Sequence, residues 1–88
     1  MSGTGVVAAV VVTAGSTALR VAYDPKVTDK PSALFKVAAG AFVLGAVLSL
    51  VEGTAPGLAT VIGITLSIAA LMLNAEAVMK ATSNVFGK

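Results

Sequence analysis

"GAFVLGAVLSLVEGTAPGLATVIGITLSIAALML", residues 40–73, carries one charge, Glu52, in a short break between two apolar runs. The runs are too long for ordinary strands and lack period-two alternation, so both read as helices and the break as the turn between them. Within "VEGTAPG", Gly53 suits the end of one helix, Thr54 the cap of the next and Pro56 its first turn. Small residues recur every fourth position on each side: Ala41, Gly45 and Ser49 before the turn, Ala59, Gly63 and Ser67 after it. Residues four apart share a helix face, and small side chains let backbones approach closely. These six are therefore the expected helix-packing positions of an antiparallel hairpin whose two stripes face each other. Phe42, Leu48, Leu50, Ile62, Leu66 and Leu73 should then point outward.

Upstream, "GVVAAVVVTAGSTAL", Gly5 to Leu19, is a third apolar run, again too long and too uniform for a strand. It is followed by "RVAYDPKVTDKPS", residues 20–32, in which Asp24 and Lys30 precede prolines and are biased toward extended backbone. In a secretory signal basic residues precede the apolar run; here the first is Arg20, after it, so the first segment reads as part of the mature protein. The expected organisation is one all-α domain over residues 1–88 with two to three apolar helices. Its parts are a helix at 4–22, a polar connector at 23–32, a helix at 33–52, a turn at 53–57, a helix at 58–82 and a basic tail at 83–88.

Composition narrows the chemistry. The chain is 57% hydrophobic and 11% charged, against roughly 45–50% and 25% in ordinary soluble domains, and its mean hydropathy is +0.98. So much apolar surface calls for lipid, or for further copies of the chain, to cover it. With no Cys and no His, thiolate and imidazole chemistry are excluded. The four carboxylates show no spacing that makes an acid–base pair, so neither an enzyme nor a cofactor or metal site is expected. The "GTG" at residues 3–5 follows no strand and is no phosphate loop. Tyr23, Phe35, Phe42 and Phe86 are too scattered to form a stacking platform for single strands.

Charge follows the expected topology. In an up-down-up bundle, Arg20, Lys26, Lys30, Lys36, Lys80 and Lys88 gather at one end with Asp24, Asp29 and Glu76, a net formal charge of +3. Glu52 is alone at the other end. In a bilayer this is the positive-inside arrangement, with connector and tail cytoplasmic. In a protein shell it is a basic wall that neutralises phosphates without reading bases, and Lys26, Lys30, Lys36, Lys80 and Lys88 are the candidate phosphate-facing residues. Gly5–Leu19 and Val37–Val51 offer 15 uncharged residues each, about 22 Å at ~1.5 Å per residue, short of a hydrocarbon core of about 30 Å. Snorkelling of Arg20 and Lys36 lengthens both, and the third run is expected to be long enough by itself.

In size, in its "GAFVLGAVLSL" and "GLATVIGITLSIAALML" helices and in its segregated lysines, the chain resembles the small hydrophobic all-helical major coat proteins of rod-shaped or filamentous DNA viruses. That resemblance implies a structural subunit that self-assembles into a helical filament or tube, a capsid protein enclosing DNA against its basic surface. Residues 33–79 also resemble the helical hairpin of conjugative or DNA-import pilins, although "VEGTAPG" lacks the cationic residues that those turns often carry. Two or three short spans, a basic tail and small-residue self-association are similar to phage holins, which form lesions in membranes. Glu76 resembles at first sight the ion-carrying carboxylate of rotary ATP synthase rings. The Gly-rich repeat of that family is missing here, and Lys80 four residues on makes a surface ion pair the simpler reading. The expected partners are many copies of the chain, with nucleic acid through its phosphates or lipid. The expected location is a virion or extracellular filament, with membrane insertion before assembly or, in the holin-like case, throughout.

Overall fold

A computed structural model describes residues 2–87, which form four helices: α1 (Ser2–Ala22), α2 (Lys30–Thr54), α3 (Leu58–Leu73) and α4 (Ala75–Phe86). The all-α reading holds, and the boundaries show what local chemistry adds to the apolar pattern. Asp29 caps α2 by accepting from the Ser32 N–H at 3.2 Å, and Pro31 occupies the first turn. With that cap, α2 begins at Lys30, before the expected start at 33. The connector is a set of turns gathered around one cation: Lys30 Nζ donates to the carbonyls of Val21, Asp24 and Val27 at 3.1, 2.9 and 3.2 Å. It adds a charged donor at and just beyond the end of α1, where a helix favours positive charge; the carbonyls of Val21 and Asp24 also accept the N–H groups of Asp24 and Val27.

At the other end of α2 the helix continues through Gly53 to Thr54, whose Oγ1 donates back to the Leu50 carbonyl at 3.0 Å and caps nothing downstream. The turn is made by Gly57, at φ 90°, a left-handed conformation that glycine adopts without steric cost. The Glu52 carboxylate accepts the Gly57 N–H at 3.1 and 3.0 Å from its two oxygens. The lone charge in the break is thus a clamp across the turn.

The single helix expected over 58–82 is two, bent by 75° at Asn74. The tail expected from 83 is helical as far as Phe86, and Lys88 lies outside the described residues.

Contacts along α1 fix the direction of the helices. Gly5 faces Thr60, Ala9 faces Gly63, and Ser16 and Thr17 meet Asn74, so α1 and α3 run parallel. Val10 faces Gly45, and Thr13 and Thr17 share a pocket with Val37 and Leu44, so α2 runs antiparallel to both. The up-down-up order is as expected, but α1 takes the central position. Val6 and Ala9 of α1, Leu48 of α2 and Ala59 of α3 form the core, with Leu44, Val51 and Ile62 packed on it.

This corrects two expectations. The small-residue faces of α2 and α3 turn toward α1, because α1 occupies the space in which they would have met. Leu48, expected to point outward, is 2% exposed and Ile62, expected the same, packs on the core, whereas Phe42, Leu50, Leu66 and Leu73 do point outward.

Candidate functional site: the charged end of the bundle

The helix-packing positions divide by partner. A Cβ built on Gly63 would lie 2.8 Å from Ala9 Cβ and 3.4 Å from the Gly5 carbonyl, and one built on Gly5 would lie 2.6 Å from Thr60 Oγ1. The α1–α3 contact is therefore a close approach in which the side chains of Ala9 and Thr60 fill the space that a Cβ on Gly63 or Gly5 would take, so a larger residue at either glycine requires a shift. Ala59 next to it is fully buried, and Ser67 turns its hydroxyl onto the Gly63 carbonyl at 2.8 Å. The α1–α2 contact is looser. A Cβ on Gly45 would meet Val10 Cγ2 at 3.4 Å. Ala41, Gly45 and Ser49 line one wall of an open apolar groove of about 390 Å³, with Val7 and Val11 on the other.

The candidate phosphate-facing lysines occupy different environments. Lys30 is half-buried with its ammonium held by three carbonyls. Lys26 is exposed in the connector, where its backbone N–H donates to Asp24 Oδ1 at 2.9 Å. Lys36 is exposed on the first turns of α2. Lys80, on α4, lines a cavity of about 280 Å³ with Arg20, Tyr23, Asp24 and Glu76. The structure therefore brings Arg20 and Lys80 together and commits Lys30 to holding the fold.

The floor of that cavity is a buried polar cluster that the sequence pattern does not single out. Asn74, 6% exposed, donates from Nδ2 to Ser16 Oγ at 3.1 Å and to Thr17 Oγ1 at 3.4 Å, and its Oδ1 accepts from Arg20 at 3.5 Å. Ser16 and Thr17 in turn donate to the Thr13 carbonyl at 3.3 and 2.7 Å. Asn74 lies between the two helices, at the C-cap of α3 and the N-cap of α4, and its side chain makes no cap hydrogen bond to α4. Its amide is spent on α1, so tertiary hydrogen bonds hold the bend. The sequence signal was available: Asn74 is the one amide between Leu58 and Thr82.

Beyond the bend α4 lies across the end of α1. Ala77 is buried there, and Asn84 Nδ2 donates to Tyr23 Oη at 2.9 Å. Val78 is half-buried, whereas Met79, Val85 and Phe86 are 70, 70 and 82% exposed. At 100° per residue Met79 and Phe86 fall on one line along the helix, and Glu76, Lys80 and Ser83 fall on another. Compared with known proteins, the chain matches no family model, no curated protein and no solved structure.

Proposed function

We propose that this chain is a self-associating integral membrane protein, a structural subunit whose copies pack side by side in a bilayer with the connector and α4 on the cytoplasmic face. The observation that carries the reading is the belt of large apolar side chains left open on α2 and α3. Phe35, Phe42, Leu50, Met72 and Leu73 are each at least 73% exposed. Two helices, Thr4–Ala22 and Lys30–Thr54, are long and apolar enough to cross a membrane, and the bent pair α3–α4 supplies a third segment.

Helix length supports the bilayer more strongly than the uncharged runs suggest. The 25 residues of α2 span about 37 Å at ~1.5 Å each, and the long axis of the bundle is 43 Å, close to the ~40–45 Å of a bilayer with its headgroups. The 16 residues of α3 reach only about 24 Å. The bend at Asn74 then lays α4 close to the interface plane, where Met79 and Phe86 dip into acyl chains and Lys80 stays in water. Self-association is supported by the α1–α2 groove, where the Ala41–Gly45–Ser49 stripe is open to a neighbour's helix.

Among the readings suggested by resemblance, this favours the holin-like one over the DNA-enclosing coat and the pilus. The lysine wall that the coat needs has lost Lys30 to the fold. The test is reconstitution of the full chain into liposomes. The expected result is carbonate-resistant insertion, cross-linked oligomers, and cysteines at Lys26 and Thr54 labelled from opposite faces. Release of an entrapped dye on assembly marks the lesion-forming kind of subunit. Lipid-free filaments with nuclease-resistant DNA would overturn the membrane reading in favour of the coat.

A further inference from the structure

The cavity between the end of α1 and α4 gathers charges of both signs. Arg20 and Lys80 supply two cations, Asp24 and Glu76 two carboxylates, and the volume is about 280 Å³, against the roughly 10–15 Å³ that a single water needs on that measure. Its polar side chains still have capacity to bind. Tyr23 Oη accepts from Asn84, which leaves the phenol's own proton free to donate. Asp24 uses Oδ1 on the Lys26 N–H, and Oδ2 remains. Leu73, 74% exposed, also lines the cavity and joins it to the apolar flank of α3.

We infer that this cavity binds the headgroup of a zwitterionic phospholipid, its phosphate against Arg20, Lys80 and the Tyr23 hydroxyl and its primary ammonium against Asp24 and Glu76. The inference rests on the membrane reading, which puts this end of the bundle at headgroup level and Leu73 beside the acyl chains. Charge decides the ligand class. The lining is formally neutral, so a group with one charge of each sign satisfies both pairs, whereas a free phosphate or an anionic headgroup leaves the carboxylates facing more negative charge. Shape decides the amine. A primary ammonium donates hydrogen bonds to carboxylates, while a quaternary one has no N–H and is favoured by several aromatic faces, of which the cavity has only Tyr23.

The experiment uses the full chain in detergent, with equal mole fractions of phosphatidylethanolamine, phosphatidylglycerol and phosphatidylcholine, and reads retained lipid by native mass spectrometry. Phosphatidylethanolamine should be retained over the other two, and Lys80→Gln and Glu76→Gln should each weaken its retention about tenfold, the loss expected for one charge-assisted hydrogen bond. Both residues are exposed on α4 and outside the Asn74 cluster, so helicity by circular dichroism should stay unchanged. Equal retention of the three lipids, or retention unaltered in both variants, overturns the inference. Displacement of the lipid by millimolar inorganic phosphate overturns it too, and assigns the site to a free anion. Flotation of the same protein with phosphatidylcholine vesicles reports separately on insertion, so a failed membrane reading and a failed headgroup site give different results.

Discussion

Gly63→Ala is the substitution on which the packing argument stands or falls. The added Cβ would sit 2.8 Å from Ala9 Cβ, where carbon atoms prefer about 3.5–4.0 Å. Both atoms are fixed to helical backbone, so α1 and α3 must separate by close to 1 Å. Overpacking of this kind costs about 1–3 kcal/mol. Replacing a helical glycine by alanine also contributes about 0.5–1 kcal/mol of stability through the unfolded chain, so the comparison has to be made against a glycine in open space. Gly40 is that control: it is helical, and a Cβ there meets nothing within 4 Å. Gly63→Ala should therefore be less stable than Gly40→Ala by about 1–3 kcal/mol when unfolding in mixed micelles is followed by far-UV circular dichroism. Adding Ala9→Gly removes the atom that is struck and should recover much of the loss, giving a favourable coupling of about 0.5–3 kcal/mol in a double-mutant cycle. Equal stability of the two alanine variants, or a cycle with no coupling, would refute the close approach of α1 and α3.

Other perturbations probe the polar contacts. Asn74→Ala removes the bonds to Ser16, Thr17 and Arg20, and should cost about 1–3 kcal/mol and relax the bend, read as a longer distance between spin labels at Leu66 and Phe86. Lys30→Met removes one hydrogen bond from each of three carbonyls, of which those of Val21 and Asp24 keep a backbone N–H donor, and should lower stability by about 1–2 kcal/mol, while Lys26→Met, on an exposed side chain, should change it by less than about 0.5 kcal/mol. Gly57→Ala forces a side chain into a left-handed φ of 90° and should cost about 1–2 kcal/mol, measured in the same micelle assay. Gly45→Leu fills the open groove between α1 and α2 and should reduce cross-linked oligomers while leaving the monomer helical.

The apolar runs made the helices and their order legible, because runs of this length without period-two alternation do not fit strands. Partner choice was not legible. The stripes at Ala41–Gly45–Ser49 and Ala59–Gly63–Ser67 announce that something approaches closely, yet a stripe does not say which helix approaches. That depended on α1, whose Ala9 offers a matching small surface. Leu48 was misread for the same reason: a chain this apolar gives little contrast between faces, so a buried leucine and a lipid-facing one look alike. The charged end was legible as a cluster of lysines but not as a site. Lys30 looks like any other lysine until the connector folds around it, and Asn74 acts through bonds to residues 57 and 58 positions away.

Those two polar features also explain how so thin a core can hold a bundle together. The fully packed cluster is Val6, Ala9, Leu48 and Ala59, too little buried apolar surface to drive folding in water, where most of this chain's large side chains would stay exposed. In lipid that exposure costs nothing, but lipid also removes the hydrophobic attraction between helices, leaving close packing and hydrogen bonds to hold them. The chain uses close packing at Gly5–Thr60 and Gly63–Ala9, and interhelical hydrogen bonds at the Asn74 cluster. The clamps at the two connections, Glu52 on Gly57 and Lys30 on the end of α1, lie at opposite ends of α2, where water is close enough to solvate a charge. Among the described residues the polar side chains inside the bundle are hydroxyls and one amide; Ser16, Thr17, Ser67 and Asn74 bond to a neighbouring helix or to the backbone, while Thr13 Oγ1 is buried without a partner. This division, with charges on the connections and small or neutral polar groups between helices, is what a bilayer demands of a three-segment protein. A DNA-filled tube makes no such demand on where Lys30 spends its charge.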